Sequence, residues 1–389
     1  MHTATTPSRY LLTGLAALLV IGLAACGGSH PAVAPVQAGK SVAITLTTAG
    51  CAPEPASIAA GAVDFAVANK DAGTVSEAEL LTADMGKILG EQENLTPGLS
   101  GGFSLTLQPG KYKISCPGAA TAQWTLTVTG KATGHGWQSV PQLASAVTGY
   151  ASFVSADTVA LVTHTRSLCR AVDSGRLTSA QQLYPRARVY YEQIEPVAEI
   201  WGTLDTEIDG RWENPVTVKS QFTGFHRLEQ LLWQDKTLTG APALCAGLVA
   251  HEQQLLTLVR SAQYNPLELA SGATDLINEA ATAKITGEEE RYSNTDLVVF
   301  EANVHGAMKV VTLLQPYLNG HDPAVVALID RRAAAVGAEL SKFDAAPGYD
   351  ETGYVDYSTV TKAQRRQLSA AANALAEALS QLSAEVSAT

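Results

Sequence analysis

The period of the apolar residues changes once along this chain, and the change divides it in two. Between Ser41 and Gly130, short β-branched runs alternate with polar residues, as in Val42-Ala43-Ile44-Thr45-Leu46 and Trp124-Thr125-Leu126-Thr127-Val128. Side chains two apart share one face of a strand, so this stretch predicts an antiparallel β-sandwich over 41–130. Gln108-Pro109-Gly110-Lys111 reads as the turn between strands at Phe103 to Leu107 and Tyr112 to Ser115. Past Pro141 the period becomes nearly four. Leu228, Leu231 and Leu232 form one stripe at helical spacing, and Leu297, Val298, Val304, Met308 and Val311 form another. Helices are expected over about 141–173, 179–201, 216–234, 241–260, 266–285, 291–318, 322–341 and 359–387. The fold expected is therefore multidomain, a β-sandwich followed by an all-α bundle over 141–389, with 131–140 as the linker. Thr203 to Asn214 and Asp344 to Tyr357, acidic and broken by glycine, read as loops at the mouth of a site.

The N-terminal segment is of a different kind. Arg9 precedes an apolar stretch from Tyr10 to Ala25 that is short for a membrane span, which marks 1–25 as a signal peptide. Leu23-Ala24-Ala25-Cys26-Gly27-Gly28 resembles the cleavage box of bacterial lipoproteins, with Cys26 as the lipidated residue. Residues 26–40, rich in Pro, Ala and Val, then form a tether. The expected place is outside the cytoplasm, lipid-anchored to the outer face of the cell membrane or in the periplasmic space. Of five cysteines, Cys26 is thereby accounted for, leaving Cys51 and Cys116 in the first domain and Cys169 and Cys245 in the second. An oxidising envelope predicts one disulfide per domain, with thiolate metal ligation by Cys51 and Cys116 as the alternative. A net charge of -11 excludes nucleic acid or an anionic membrane surface as the main partner and favours cations.

Residues suited to a cation recur at helical spacing. In Thr223-Gly224-Phe225-His226-Arg227-Leu228-Glu229, His226 and Glu229 project from one helix face and can share an ion. Glu192 and Glu195 stand at the same spacing on another predicted helix, as in carboxylate-rich bundle sites. Glu288-Glu289-Glu290 and Asp296 follow, then Glu301 and His305; Glu289 and Asp296 are counted as candidate ligands, although for the acidic run by itself a solvated helix start is the preferred reading. In the β domain, Glu54, Glu77, Glu79, Glu91 and Glu93 are either hard oxygen ligands or solvated strand-edge acids. A blue-copper site needs two His and a Cys, yet no His lies between Val42 and Thr129, and Met85 is the sole Met there. A zinc peptidase needs HExxH or its inverse. His251-Glu252-Gln253-Gln254-Leu255 lacks the second His, and His226 to Gln230 ends on Gln where the inverse motif needs His.

Four segments, TGFHRLEQLLW, YEQIEPVAE, ITGEEERYSNTDL and FEANVHGAMKVV, together resemble the imelysin-like helical domain of the EfeO iron-uptake lipoproteins, from about Gln142 to the C-terminus. CAPEP from Cys51, SEAELL from Ser76, GEQENLTPG from Gly90 and LQPGKY from Leu107 resemble the cupredoxin-like domain that precedes it in that family. The resemblance implies iron captured outside the membrane and passed to a membrane iron permease, beside a haem peroxidase of the dye-decolourising type. It implies His226 and Glu229 as the metal site, iron as the metal, and copper or zinc as alternatives. A metal-dependent enzyme, either a ferroxidase or a zinc peptidase, is the rival reading.

Overall fold

The computed structural model describes residues 40–93, 95–131, 136–212, 222–345 and 353–387. The expected signal peptide, Cys26 and the tether up to residue 39 lie outside them, as do 132–135 of the linker, 216–221 of one expected helix and 346–352 of the second expected loop. Gly61–Asn69 shows why the first part folds as strands: Val63, Phe65 and Val67 are buried while Ala62, Asp64 and Ala66 are exposed, the signature of a sheet with one wet face. Two sheets pack face to face. One runs β2 (Pro53–Glu54), β1 (Lys40–Leu46), β4 (Gly61–Asn69), β7 (Ser100–Leu107); the other runs β3 (Ser57–Ala59), β9 (Gln123–Thr129), β8 (Gly110–Ser115), β5 (Ala78–Thr82), β6 (Ile88–Gln92). Phe65 and Phe103 stack across the β4–β7 pair with ring centroids 4.7 Å apart.

The sandwich is mixed and not purely antiparallel, since β1 pairs parallel with β4 and β3 parallel with β9. After β2 the chain crosses to the second sheet as β3 and returns as β4, and such a crossover is what parallel neighbours require. Cys51, beyond β1, and Cys116, beyond β8, are both fully buried and joined as a disulfide, which links the two sheets and rules out free thiolates there.

The helical part is organised around α1 (Pro141–Asp173), which packs on α2 (Leu177–Glu192), α6 (Ala241–Ser261) and α8 (Asp296–His321). The Cys169–Cys245 disulfide ties α1 to α6. Among the described residues between α2 and α6 lie three short helices: α3 (Glu195–Ala198), α4 (Gly202–Asp209) and α5 (Gly224–Glu229), the last running on as a π-helical turn, Gln230–Gln234. Then come α7 (Pro266–Thr282), α9 (Pro323–Leu340), α10 (Lys362–Leu379) and α11 (Gln381–Ser387), with α10 packed on α7 and α9. Two expectations change here. The helix expected over 179–201 is interrupted after Glu192, because Pro196 has no N–H to offer the Glu192 carbonyl four residues back and its ring crowds that carbonyl; α3 starts afresh at Glu195, with Pro196 in its first turn, instead of one long helix being kinked. The loop expected from Thr203 folds as α4 as far as Asp209.

Both parts fall within one compact unit, Gly39–Thr389. The β6 and β7 side of the sandwich faces α7 and the turn Glu199–Trp201, and the carboxylates of both parts meet there.

Candidate metal centre

Gly224 opens α5 at φ +70°, and a Cβ built on it would lie 2.0 Å from the carbonyl oxygen of Ile208, so a glycine is what lets α5 abut the last turn of α4. That contact brings His226 beside Asp209. The imidazole is 2% exposed. Its Nδ1 faces Glu229 Oε2 at 3.5 Å, the outer limit of a hydrogen bond, while Nε2 lies 3.3 Å from Asp209 Oδ1 and 3.7 Å from Glu289 Oε1 without making a hydrogen bond. The ligating atoms of Asp209, His226 and Glu289 all lie within 4.8 Å of one another. Glu229 serves a different purpose with its other oxygen: Oε1 accepts the backbone N–H of Tyr292 at 2.9 Å and of Ser293 at 2.7 Å, which fastens the acidic segment that carries Glu289 to α5.

Three basic side chains hold these carboxylates. Arg188 is fully buried on α2 and contacts Asp209, Glu192, Glu289 (2.9 Å) and Glu290 (2.8 Å). Lys284 reaches Glu192 at 2.9 Å and Glu195 beside it. Arg211 pairs with Glu289 and stands 3.8 Å from Glu279. Buried charges are tolerated only when paired, and an acid run that is solvated has no need of such partners. Glu289 and Glu290, 1% and 0% exposed, are therefore not a solvated helix start; only Glu288 is exposed, and α8 begins later, at Asp296. Burial would raise the carboxyl of Glu289, but Lys284, Arg211, His226 and Arg188 together outweigh it and hold that carboxyl below its ordinary value. Glu195 goes the other way: burial and then Glu192 raise it, with Lys284 opposing.

Acids from the β domain approach the same place. Glu93 lines a cavity of about 230 Å³ together with Glu195, Glu199, Asp209, Glu279 and Glu289, and the ligating atoms of Glu195, Glu199 and Glu279 lie within 4.8 Å of one another. Glu77, Glu79, Glu91 and Glu93 line a neighbouring cleft of about 720 Å³ with Glu199 and Asp205. Burial, then Glu279, Glu77 and Asp205, push Glu93 up to about 8; burial and then Asp209 push Asp205 up to about 7. Burial dominates in Glu91, whose carboxyl is raised well above the ordinary value, with Glu93 adding to it.

Of the residues read from sequence, the fold gathers His226, Glu229, Glu192, Glu195 and Glu289 into one buried network, and Glu77, Glu79, Glu91 and Glu93 into the cleft beside it. Glu54 is exposed on β2 and shares neither. Asp296 is buried but turned to the backbone, its Oδ1 accepting the N–H of Glu290 at 3.2 Å, and burial raises it to about 7. Glu301 and His305 are both exposed on α8. Glu252, of the near-miss peptidase motif, is fully buried and accepts a hydrogen bond from Thr165 at 2.6 Å, whereas His251 stands 3.5 Å from Glu207. Sequence reasoning missed Asp209, Glu199, Glu279, Arg188 and Lys284. The spacing of Asp205 and Asp209, one helical turn apart, was the available signal for the first.

Residues 146–382 match the imelysin family, which carries a peptidase designation, and residues 15–128 match the cupredoxin-like domain. The chain is similar to the iron uptake system component EfeO of Escherichia coli (strain UTI89 / UPEC), Shigella flexneri and Shigella sonnei (strain Ss046). In each case the identity is 36% over 345 residues, covering 88% of this chain and 90% of the relative.

Proposed function

Since this chain belongs to the imelysin family, with a cupredoxin-like domain in front, we propose that it is an extracytoplasmic component of an iron uptake system that captures iron in its helical domain and delivers it to a membrane iron permease. Lipidation of Cys26 anchors it at the outer face of the membrane, and a dye-decolourising-type haem peroxidase is its further partner. The observation that carries the reading is the buried Nε2 of His226, which has no hydrogen-bond partner and faces Asp209 and Glu289. A buried ring nitrogen left unpaired among carboxylates costs stability unless a cation occupies the position. One nitrogen and two carboxylates, with further carboxylates near, suit iron; a soft-ligand copper site would need thiolates, which Cys51 and Cys116 do not offer.

Glu229 supports this centre from behind, steadying the ring through Nδ1 in the way outer carboxylates orient ligating histidines. The acids of the cleft, from Glu77 to Glu93 and on to Glu279, form a negatively lined approach that raises the local concentration of cations. Peptidase chemistry is disfavoured by geometry: Glu252 is committed to Thr165 on α1 and does not share the site of His226.

The test is titration of the purified full-length protein with Fe(II), Fe(III), Cu(II) and Zn(II), beside His226→Ala. One iron equivalent is expected to bind and to be lost in the variant with unchanged circular dichroism. Undiminished iron binding by His226→Ala would move the site to the carboxylates of the β domain.

A further inference from the structure

Two groups of candidate ligands in the helical domain have members in common. Asp209, His226 and Glu289 form one; Glu192, Glu195, Asp209 and Glu289 form the other. Carboxylates shared between adjacent groups are how helical bundles hold two ions about 3.5–4 Å apart. In this chain, side chains carrying positive charge already fill the second position. Arg188 takes Glu192 Oε1, and with it Asp209 Oδ1 and Glu289 Oε1, the two oxygens that also face His226 Nε2. That leaves Glu192 Oε2, 2.9 Å from the ammonium of Lys284, with Glu195 Oε2 in contact with it and Glu279 Oε2 at 4.0 Å. Lys284 is 3% exposed, a position lysine holds only when its charge is matched.

A second observation concerns Asn303, on α8. Fully buried, it donates its amide N–H to Glu192 Oε2 at 3.0 Å and to Glu195 Oε2 at 3.2 Å, while its Oδ1 has no partner. The same amide nitrogen also donates to the backbone carbonyl of Glu192 at 3.1 Å, which fixes its orientation and holds the two carboxylates in place. Glu192, Glu195 and Glu279 supply the hard oxygen donors that a divalent cation takes.

We propose that the ammonium of Lys284 is a built-in cation standing in a second metal position, and that it restricts the helical-domain centre to one metal ion. The inference rests on the reading of Asp209, His226 and Glu289 as the first metal position. Being covalently attached, the ammonium cannot be exchanged for an ion, so it occupies Glu192 Oε2 and Glu195 Oε2 permanently, whereas a cargo ion beside His226 has to share Asp209 and Glu289 with Arg188. Lys284 is thus a specificity-determining residue, one that sets the number of ions held, and it separates a carrier of single ions from a centre in which two irons react together.

The experiment is Mn(II) binding to the full-length protein, counted by calorimetric titration and by electron paramagnetic resonance. Wild type should bind one Mn(II) that His226→Ala loses. Lys284→Gln should bind a second ion at least tenfold more tightly than wild type does, and adding Glu195→Gln should abolish that gain. A folded Lys284→Gln that still binds one ion, or a wild type that binds two, overturns the proposal. If His226→Ala leaves wild-type binding unchanged, the functional reading fails, yet the comparison of Lys284→Gln with wild type still decides: an added ion upholds the stand-in, no added ion refutes it. Should Lys284→Gln fold poorly without metal, its melting temperature in saturating Mn(II) against chelator serves as the readout. A larger rise than in wild type supports the proposal and an equal rise overturns it.

Discussion

Glu229 is placed to matter twice, through one oxygen on the ring of His226 and another on two backbone N–H groups. Glu229→Gln keeps the shape but removes the charge from both interactions, and charge-assisted bonds to a buried acceptor are the stronger kind. A loss of about 1–3 kcal/mol is expected in urea unfolding, together with weaker iron binding. Iron affinity unchanged at lowered stability would mean that Glu229 only fastens the acidic segment and does not orient His226. A buried acid away from the centre gives a cleaner pH effect. Burial raises Glu252 to about 8, with Thr165 and Arg166 opposing. A carboxyl raised above its unfolded value near 4.5 contributes stability that is full at low pH and is lost as pH rises through the folded value. Between about pH 5 and 8 wild type should therefore lose up to about 1.4 kcal/mol per pH unit relative to Glu252→Gln, a gap that levels off above about 8. Melting curves across that range check it, and parallel curves for the two proteins would place Glu252 in contact with water. Iron binding should be the same in both, since among the described residues this acid belongs to no candidate metal group.

The elements that carry the centre are short, irregular and held from several sides, and this explains which of them were legible in the sequence. Long helices such as α1, α6 and α8 announce themselves by periodicity, and the motif around His226 by local spacing, because both signals lie within a few turns of one element. Asp209 was hidden by glycine and acids that read as loop, and Lys284 by lying in a single 3-10 turn; their meaning comes only from contacts with Arg188, Glu192 and Glu195 on other elements. The break after Glu192 was half legible. Pro196 signals an interruption, but that Asn303 on α8 would donate its amide N–H to the Glu192 carbonyl freed there, at 3.1 Å, is tertiary information. Gly224 is the element-scale hinge of the site. Gly224→Ala places a β-carbon on the backbone of α4 and forces a left-handed residue to carry it, so at least 1–2 kcal/mol should be lost and α5 displaced from α4. Metal affinity is expected to fall at least tenfold with it; retained affinity would show that α5 seats His226 without the close contact. The Cys169–Cys245 bridge closes a loop of 76 residues between α1 and α6, for which the chain-entropy estimate is roughly 4 kcal/mol. Replacing both cysteines by Ala should lower the unfolding free energy by that order while leaving metal stoichiometry intact, a contrast with Gly224→Ala that titration and denaturant unfolding read side by side.

At the scale of the whole molecule the question is why a sandwich with no histidine is joined to a bundle that has the candidate centre. The meeting surface gives a physical answer. Acids from both parts are crowded there beyond what Lys87 and Arg211 neutralise, and the crowding was invisible in sequence because Glu77 to Glu93 and Glu199 to Glu279 are more than a hundred residues apart. The sequence presented the β-domain acids as strand-edge residues; only the packing of β6 against the turn Glu199–Trp201 turns them into one wall of a shared cleft. Such a wall stays closed while some of its carboxyls hold protons. Glu93, raised to about 8, and Asp205, raised to about 7, are both protonated more in the folded protein than in the unfolded chain at neutral pH. Their contribution is therefore present at low pH and lost as pH climbs through 7 and 8, the opposite of a carboxylate held by a salt bridge. In chelator, the hold between the two parts should weaken between about pH 5 and 8 and level off above, read as a lowered melting temperature and an increased radius of gyration in small-angle scattering. Millimolar Mn(II) should reverse both changes, because a cation between the walls replaces the protons that were released. Glu93→Gln removes one charge from the wall and should flatten the pH dependence without altering metal binding at the site proposed beside His226. If the radius stayed constant to pH 9 in chelator, the cleft would be held by its apolar contacts alone, and the acids lining it would act on approaching cations without governing how the two parts are joined.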